Sequence, residues 1–300
     1  RGVVRVASWE KFPAIPAGQS GRLQLAAWMT STENALLDRV IVNRLWAQLF
    51  GRGIVGTVDN FGVQGEKPTH PELLDHLATG FMREGWSIKK LIRTIVLSRT
   101  YQMASRSGDA PWLSHHLRRR LDAETIRDTM LAATGDLNPQ PASGSLIQHR
   151  DVLINELPSL HQPSNQRSIY LLMLRNSMPP ELTPFNLPDA TTVLDKRDSS
   201  ALATQSLFLL NNAFIIEQSR RFAKRLLQTP AESEKRIAAA YRAALGRDAT
   251  AAELQRGLDF IREADAMLVS TQTDHPRREL DTWAAFCQAL LASNELRYVD

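Results

Sequence analysis

Three glycines, Gly51, Gly53 and Gly56, stand in the stretch GRGIVGTVDNFG at the G-x-G-x-x-G spacing of dinucleotide-binding loops. That chemistry needs a strand before the glycines and a helix after them, so that helix amides meet the pyrophosphate. Here a helical apolar pattern precedes Gly51, and residues of turn chemistry follow Gly56. The stretch therefore predicts a helix end followed by a glycine-shaped loop, with no dinucleotide bound.

A second group surrounds His70, which falls at the start of a helix with the acids Asp59, Glu72 and Asp75 nearby. A neutral histidine there suits acid–base work, while the acids equally suit pairing with arginine. Arg44 lies on the wheel among Leu37, Val40 and Gln48, which predicts a buried guanidinium held by Asp59, Glu72 or Asp75. A third group, Arg175, Asp189, Arg197 and Asp198, lies in the middle of the chain. Paired arginines and carboxylates there could bind a sulfated or carboxylated sugar by bidentate hydrogen bonds, or form an ion-pair network. A site is expected where the 56–72 loop meets this middle segment.

Other chemistries lack their residues. Cys287 is the one cysteine, so no internal disulfide, Cys-rich metal site or C-x-x-C-H haem attachment forms, and its apolar helical setting predicts burial. His115, His116, His149, His161 and His275 show no ligand spacing, and no metal is expected. No G-x-S-x-G elbow occurs. Trp28, Trp46, Trp86, Tyr101, Trp112, Tyr170 and Phe185 are candidate stacking platforms, most of them at helical core spacing.

The elements that must position these residues are mostly helices. Residues 1–19 read as an extended lead-in, and GRLQLAAWMTS as a short helix. ENALLDRVIVNRLWAQLFG follows, with Asn34 as cap, Gly51 as left-handed terminator and apolar residues on most sides. Thr69-x-x-Glu72 reads as a capping box with Pro71 in the first turn, opening a helix that Gly85 ends. Ser87 starts the next, with Trp86 and Leu91 placed as a hydrophobic staple, and RLDAETIRDTMLAATG closes at Gly135. Residues 136–200 hold eight of the fifteen prolines and are expected to be irregular but ordered, with RSIYLLMLR as a candidate strand. From 201 helices return: one or two through 228, broken at Asn211–Asn212, one ended by Gly246, one opened by the box Thr250-x-x-Glu253, and a last one carrying Cys287. The three after 230 are expected to form a bundle.

The fold class is mainly α: a multi-helix globule with an irregular Pro-rich middle that includes a few short strands. Its parts are the lead-in (1–19), an N-terminal helical part (20–135), the irregular segment (136–200) and a C-terminal helical bundle (201–300), together one compact unit. The 300 residues carry a formal charge of +4, are 43% hydrophobic and 23% charged, and contain no apolar run of membrane-spanning length. Basic clusters at Arg118–Arg120, Arg220–Arg225 and Arg277–Arg278 permit an anionic partner, but two lie on amphipathic helices as solvated faces, so nucleic acid is not the expected partner. Beginning at Arg1, the chain reads as a piece of a longer polypeptide or a mature form.

The stretch from Asn43 to Ser105 closely resembles the planctomycete PSD1 family, also called the domain of unknown function 1553. The matching pieces include Asn43-Arg44-x-Trp46, Phe50-Gly51-x-Gly53, Asp59-x-Phe61-Gly62, THPELLD (69–75) and Gly85-Trp86-Ser87. RRLDAETIRD, Arg175-Asn176, Arg197-Asp198, QSLFLLNNAF and ALLASNELRYVD extend the likeness from about residue 20 to the end. His76 departs from it, standing where an aromatic is expected after PELLD. The resemblance implies a C-terminal module of a large exported protein, periplasmic or extracellular, following a haem-attachment domain in organisms rich in polysaccharide-degrading systems. It implies other domains of the same polypeptide as partners, an acidic polysaccharide as a ligand, and haem only on the separate domain. It carries no established catalytic residues. The leading expectation is an accessory or binding module. The alternatives are a hydrolytic or redox enzyme with its site between the 56–72 loop and the 136–200 segment, and a protein-interaction module.

Overall fold

The computed structural model describes residues 14–32, 34, 36–106, 113, 115–141, 161, 163–175, 177–192, 194, 197, 200, 202–271 and 274–299. Trp112, His149, Asn176, Asp198 and most of the lead-in lie outside these residues. The chain is mainly α and divides into two compact units, one ending at Arg119 and one running from Arg120 to Val299. The expected N-terminal part, 20–135, runs across this division. The helix at 123–134 buries Ile126, Met130, Leu131 and Ala133, and its apolar face joins the core of the second unit.

The first unit contains α1 (Arg22–Met29), α2 (Leu37–Phe50), α3 (Pro71–Arg83), α4 (Ile88–Val96) and a two-residue parallel ladder of β1 (Ser105–Arg106) with β2 (His116–Leu117). Asn34 caps the approach to α2, its Oδ1 accepting from the Leu36 and Leu37 amides at 3.0 and 3.4 Å. Val42, Trp46 and Phe50 then recur every four residues and form one buried stripe, with Trp46 stacked on Phe50 at 4.2 Å between centroids. That stripe packs with Leu74, Leu77, Ala78 and Phe81 of α3 and Leu91 and Ile95 of α4. So α2 is buried along one face rather than on most sides; Arg44 and Gln48 are exposed. His116 is a core histidine, stacked on Phe50 and edge-on to Tyr101.

The ends follow local chemistry. Gly51 terminates α2 at φ 82°, where a side chain would be strained. Gly85 ends α3 at φ 69° and Trp86 continues at φ 59°, its amide donating to the Phe81 carbonyl at 3.0 Å. The Trp86 ring meets Phe81 edge-on, joining the same cluster as Leu91. Ser87 Oγ accepts from the Lys90 amide and caps α4.

The second unit is built from α5 (Ala123–Thr134), α6 (Ala203–Asn211), α7 (Ala213–Gln228), α8 (Ser233–Leu245), α9 (Ala251–Val269) and α10 (His275–Leu291). The expected packing of the last three helices is present, with α7 and α5 completing the bundle. Trp283, Phe286, Cys287, Leu290 and Leu291 of α10 face its core with Phe222 of α7 and Ile237 of α8. Asn212 separates α6 from α7 and caps the latter, accepting from the Phe214 amide at 2.9 Å. The Thr250–Glu253 capping box forms in both directions. No helix among the described residues is long and apolar enough to cross a membrane.

Between α5 and α6 the described chain is irregular. RSIYLLMLR is not a strand: Ser168–Tyr170 form a 3-10 turn, and Leu174 meets Ser177 in an isolated bridge. At its start, Ser168 is held by the Arg127 and Asp128 side chains of α5 instead of by a partner strand.

Candidate functional site

In the first unit the glycine stretch has helix before it and loop after it, as its sequence predicts. Asn43, fully buried, clamps that loop. Its Oδ1 accepts from the Val55 amide at 2.8 Å and its Nδ2 donates to the Val55 carbonyl at 3.0 Å. Gly53 makes room for the clamp, because a Cβ there would overlap the Val55 carbonyl and stand 2.9 Å from the Asn43 amide.

Thr69 does not cap α3. Its amide and hydroxyl both donate to the Ile54 carbonyl, at 2.9 and 3.1 Å, so no capping box with Glu72 forms. His70 takes the N-cap position, with Nδ1 3.0 Å from Thr69 Oγ1. The acids near it serve arginines: Asp59 lies 3.5 Å from Arg44, and Asp75 accepts from Arg39 at 2.7 Å. Glu72 is exposed. Arg44 has the partner expected for it but is not buried, its side chain being 49% exposed. The polar residue that this turn of α2 buries is the neighbouring Asn43, whose short amide can be satisfied by one backbone unit. A pair as exposed as Arg44–Asp59 contributes about 0–1 kcal/mol, not the several kcal/mol of a buried ion pair.

In the second unit Asp189 organises its own turn. Oδ1 accepts from the amides and hydroxyls of Thr191 and Thr192 at 2.8 to 3.2 Å, and these bonds, the Thr191 hydroxyl first, hold the carboxyl below its ordinary pKa. Arg197 is exposed but bidentate to Glu124, at 2.6 and 3.0 Å. Asp198 falls outside the described residues. Arg175 differs: it is exposed and has no hydrogen bond or ion pair among the described residues.

What holds Arg175 in place starts on α5, at two adjacent residues that sequence reasoning did not single out. Arg127 is 4% exposed and donates to the carbonyls of Ser164 and Gln166 and to Ser168 Oγ, with its guanidinium over the Phe214 ring. Burial pushes its pKa below the ordinary value, against the opposing charges of Glu181 and Asp128. Asp128 Oδ1 accepts from the Ser168 amide at 2.8 Å and its hydroxyl at 2.7 Å, with Arg167 Nε 3.7 Å from the other carboxylate oxygen. Backbone bonds from Asn138 to Asn165 and from Arg167 to Asn138 complete the anchor.

Anchored at 164–168, the segment turns outward. Ile169 is 70% exposed, Tyr170 38% and Met173 37%, and Arg175 follows in the turn closed by the Leu174–Ser177 bridge. His161 Nε2 lies 2.9 Å from Ser177 Oγ at the foot of this ridge. Exposed apolar and aromatic surface beside an uncommitted guanidinium suits a ring face carrying an acidic group. The signal available in the sequence was the adjacent Arg-Asp pair facing an apolar segment too proline-bounded to pair as a strand. Among the described residues no three His, Cys, Asp or Glu side chains group as metal ligands do.

A family model described as "PSD1: Protein of unknown function (DUF1553)" matches residues 21–261. No curated protein and no solved structure matches the chain.

Proposed function

The chain belongs to the PSD1 (DUF1553) family, and on that premise we propose that it is a binding module that uses the ridge carrying Ile169, Tyr170, Met173 and Arg175 to hold an acidic polysaccharide. The observation that carries this reading is Arg175, an exposed guanidinium without a partner among the described residues, on a segment whose neighbours Ile169, Tyr170 and Met173 are exposed and whose base is fixed by Arg127 and Asp128. A rigid base reduces the ordering cost of binding. The aromatic and apolar side chains cover a sugar ring, and the guanidinium takes a sulfate or carboxylate by two hydrogen bonds. The resemblance set out above adds the setting: an accessory module of an exported protein whose haem sits on a separate domain, acting on polysaccharide brought to it.

Titration calorimetry with a sulfated oligosaccharide and its desulfated counterpart tests this. The sulfated form is expected to bind with an affinity that falls as salt rises. Arg175→Ala should weaken binding by about 10- to 100-fold, the loss of a charge-assisted hydrogen-bonding group, without altering helical content. Equal binding of both sugars, or an unchanged affinity in Arg175→Ala, would sink the proposal.

A further inference from the structure

Most arginines described in the second unit have a carboxylate. Arg247 bridges Glu253 at 2.7 and 2.9 Å and Glu295 at 2.5 and 2.7 Å, and Arg197 holds Glu124. Arg120 and Arg297 do not. The two are brought together by the backbone, where the Leu121 amide donates to the Arg297 carbonyl at 2.8 Å. Arg297 is 8% exposed and Arg120 is half-buried. Every partner that they have among the described residues is neutral. Arg120 donates to the Ser200 carbonyl and to Gln205 Oε1, and Arg297 to Asn294 Oδ1. The buried Nε of Arg297 donates to nothing among the described residues.

The neutral partners are themselves held. Gln205 is fully buried, and its Nε2 is spent on Asn186 Oδ1 at 3.1 Å and the Ser200 carbonyl at 3.0 Å. Asn186 in turn donates to Ser200 Oγ at 2.8 Å. The nearby carboxylates Glu295, Asp122 and Glu124 face other arginines: Glu295 holds Arg247, and Asp122 and Glu124 lie 4.0 and 2.6 Å from Arg197. Burial, and then the Arg120 charge, push the Arg297 pKa below its ordinary value. Since guanidinium stays protonated, the strain falls on the site as uncompensated like charge. An oxyanion cures this by accepting the spare N–H groups of both forks.

We propose that Arg120 and Arg297 form a binding site for a tetrahedral oxyanion, sulfate or phosphate, seated beside Gln205 and the Ser200 carbonyl in the second unit. The site is separate from the Arg175 ridge, and the experiment is arranged to keep the two apart. In an Arg175→Ala background, the thermal midpoint is followed in about 10 mM sodium sulfate, about 10 mM sodium phosphate, and sodium chloride of equal ionic strength. The expected result is a midpoint several degrees higher in an oxyanion than in chloride, and equilibrium dialysis with labelled sulfate giving one ion per chain. Adding Arg297→Gln should abolish both; should that variant fail to fold, Arg120→Gln takes its place. Equal midpoints in oxyanion and chloride, no bound sulfate in the Arg175→Ala chain, or an unchanged response after the second substitution overturns the site. A sulfate response lost with Arg175→Ala alone would belong to the ridge and equally overturn it.

Discussion

Replacing Asn43 by alanine removes both halves of the clamp on Val55. Asn43 is fully buried and Val55 is 2% exposed, so water does not readily take over the abandoned Val55 N–H and C=O. Leaving each buried group unsatisfied costs about 1–3 kcal/mol, so two such groups set the expected loss at about 2–6 kcal/mol. Gly53→Ala should cost a similar amount by another route, since the added Cβ strikes the Val55 carbonyl and crowds the Asn43 amide. The two substitutions break one contact, so their costs should not add; a coupling of about 1–3 kcal/mol is expected in the double variant. Urea unfolding supplies the energies, and hydrogen exchange at the Val55 amide reports the clamp directly: protected in the parent, fast in Asn43→Ala. The reasoning fails if Asn43→Ala loses under about 0.5 kcal/mol, if the Val55 amide stays protected, or if the two costs sum.

Two further outcomes follow from groups in the second unit. Cys287 is fully buried and burial raises its thiol pKa, so a thiol reagent should label it only as fast as the unit unfolds; rapid stoichiometric labelling of native protein at neutral pH would contradict its placement. Glu253 is held at a pKa of about 2, chiefly by Arg247 and then by the Thr250 cap. A depressed carboxylate stabilises the fold above its unfolded pKa, about 4.3, and that contribution fades as pH falls from there through about 2. Glu253→Gln should therefore cost about 1 kcal/mol near neutral pH, with the gap from the parent closing as pH falls across that window; a gap independent of pH would refute the assignment.

Much of the helical plan was legible because it is written locally. Gly51, Gly85, Gly135 and Gly246 all end helices with positive φ, and Thr250, Ser87 and Asn212 all cap them. What escaped depends on partners far along the chain. Thr69 matches a capping box over four residues, yet its hydroxyl goes to Ile54, fifteen residues away. Arg44 and Asn43 sit side by side on α2, and only the position of Val55 decides which is drawn inward. RSIYLLMLR has strand composition, but among the described residues it meets no partner strand, and Arg127 and Asp128 hold its Ser168. The site candidates divided in the same way. Asp189 bonds within its own turn and Arg197 pairs with Glu124, while Arg120 was visible only as part of a basic cluster, and neither its company with Arg297 nor the role of Arg127 could be read, because those contacts lie tens of residues distant.

The anchor of the ridge has a consequence for how its surface can change. Arg127 grips backbone carbonyls at Ser164 and Gln166, groups that every amino acid supplies, while Arg167 and Ser168 meet the α5 pair through their own side chains. The fixing of the segment is therefore stored on α5, while the residues that face outward, Ile169, Tyr170, Met173 and Arg175, contribute little to it. The ridge behaves as an interchangeable cassette on a permanent socket. Its outward residues can be rewritten while the socket, and the helical core behind it, stay as they are.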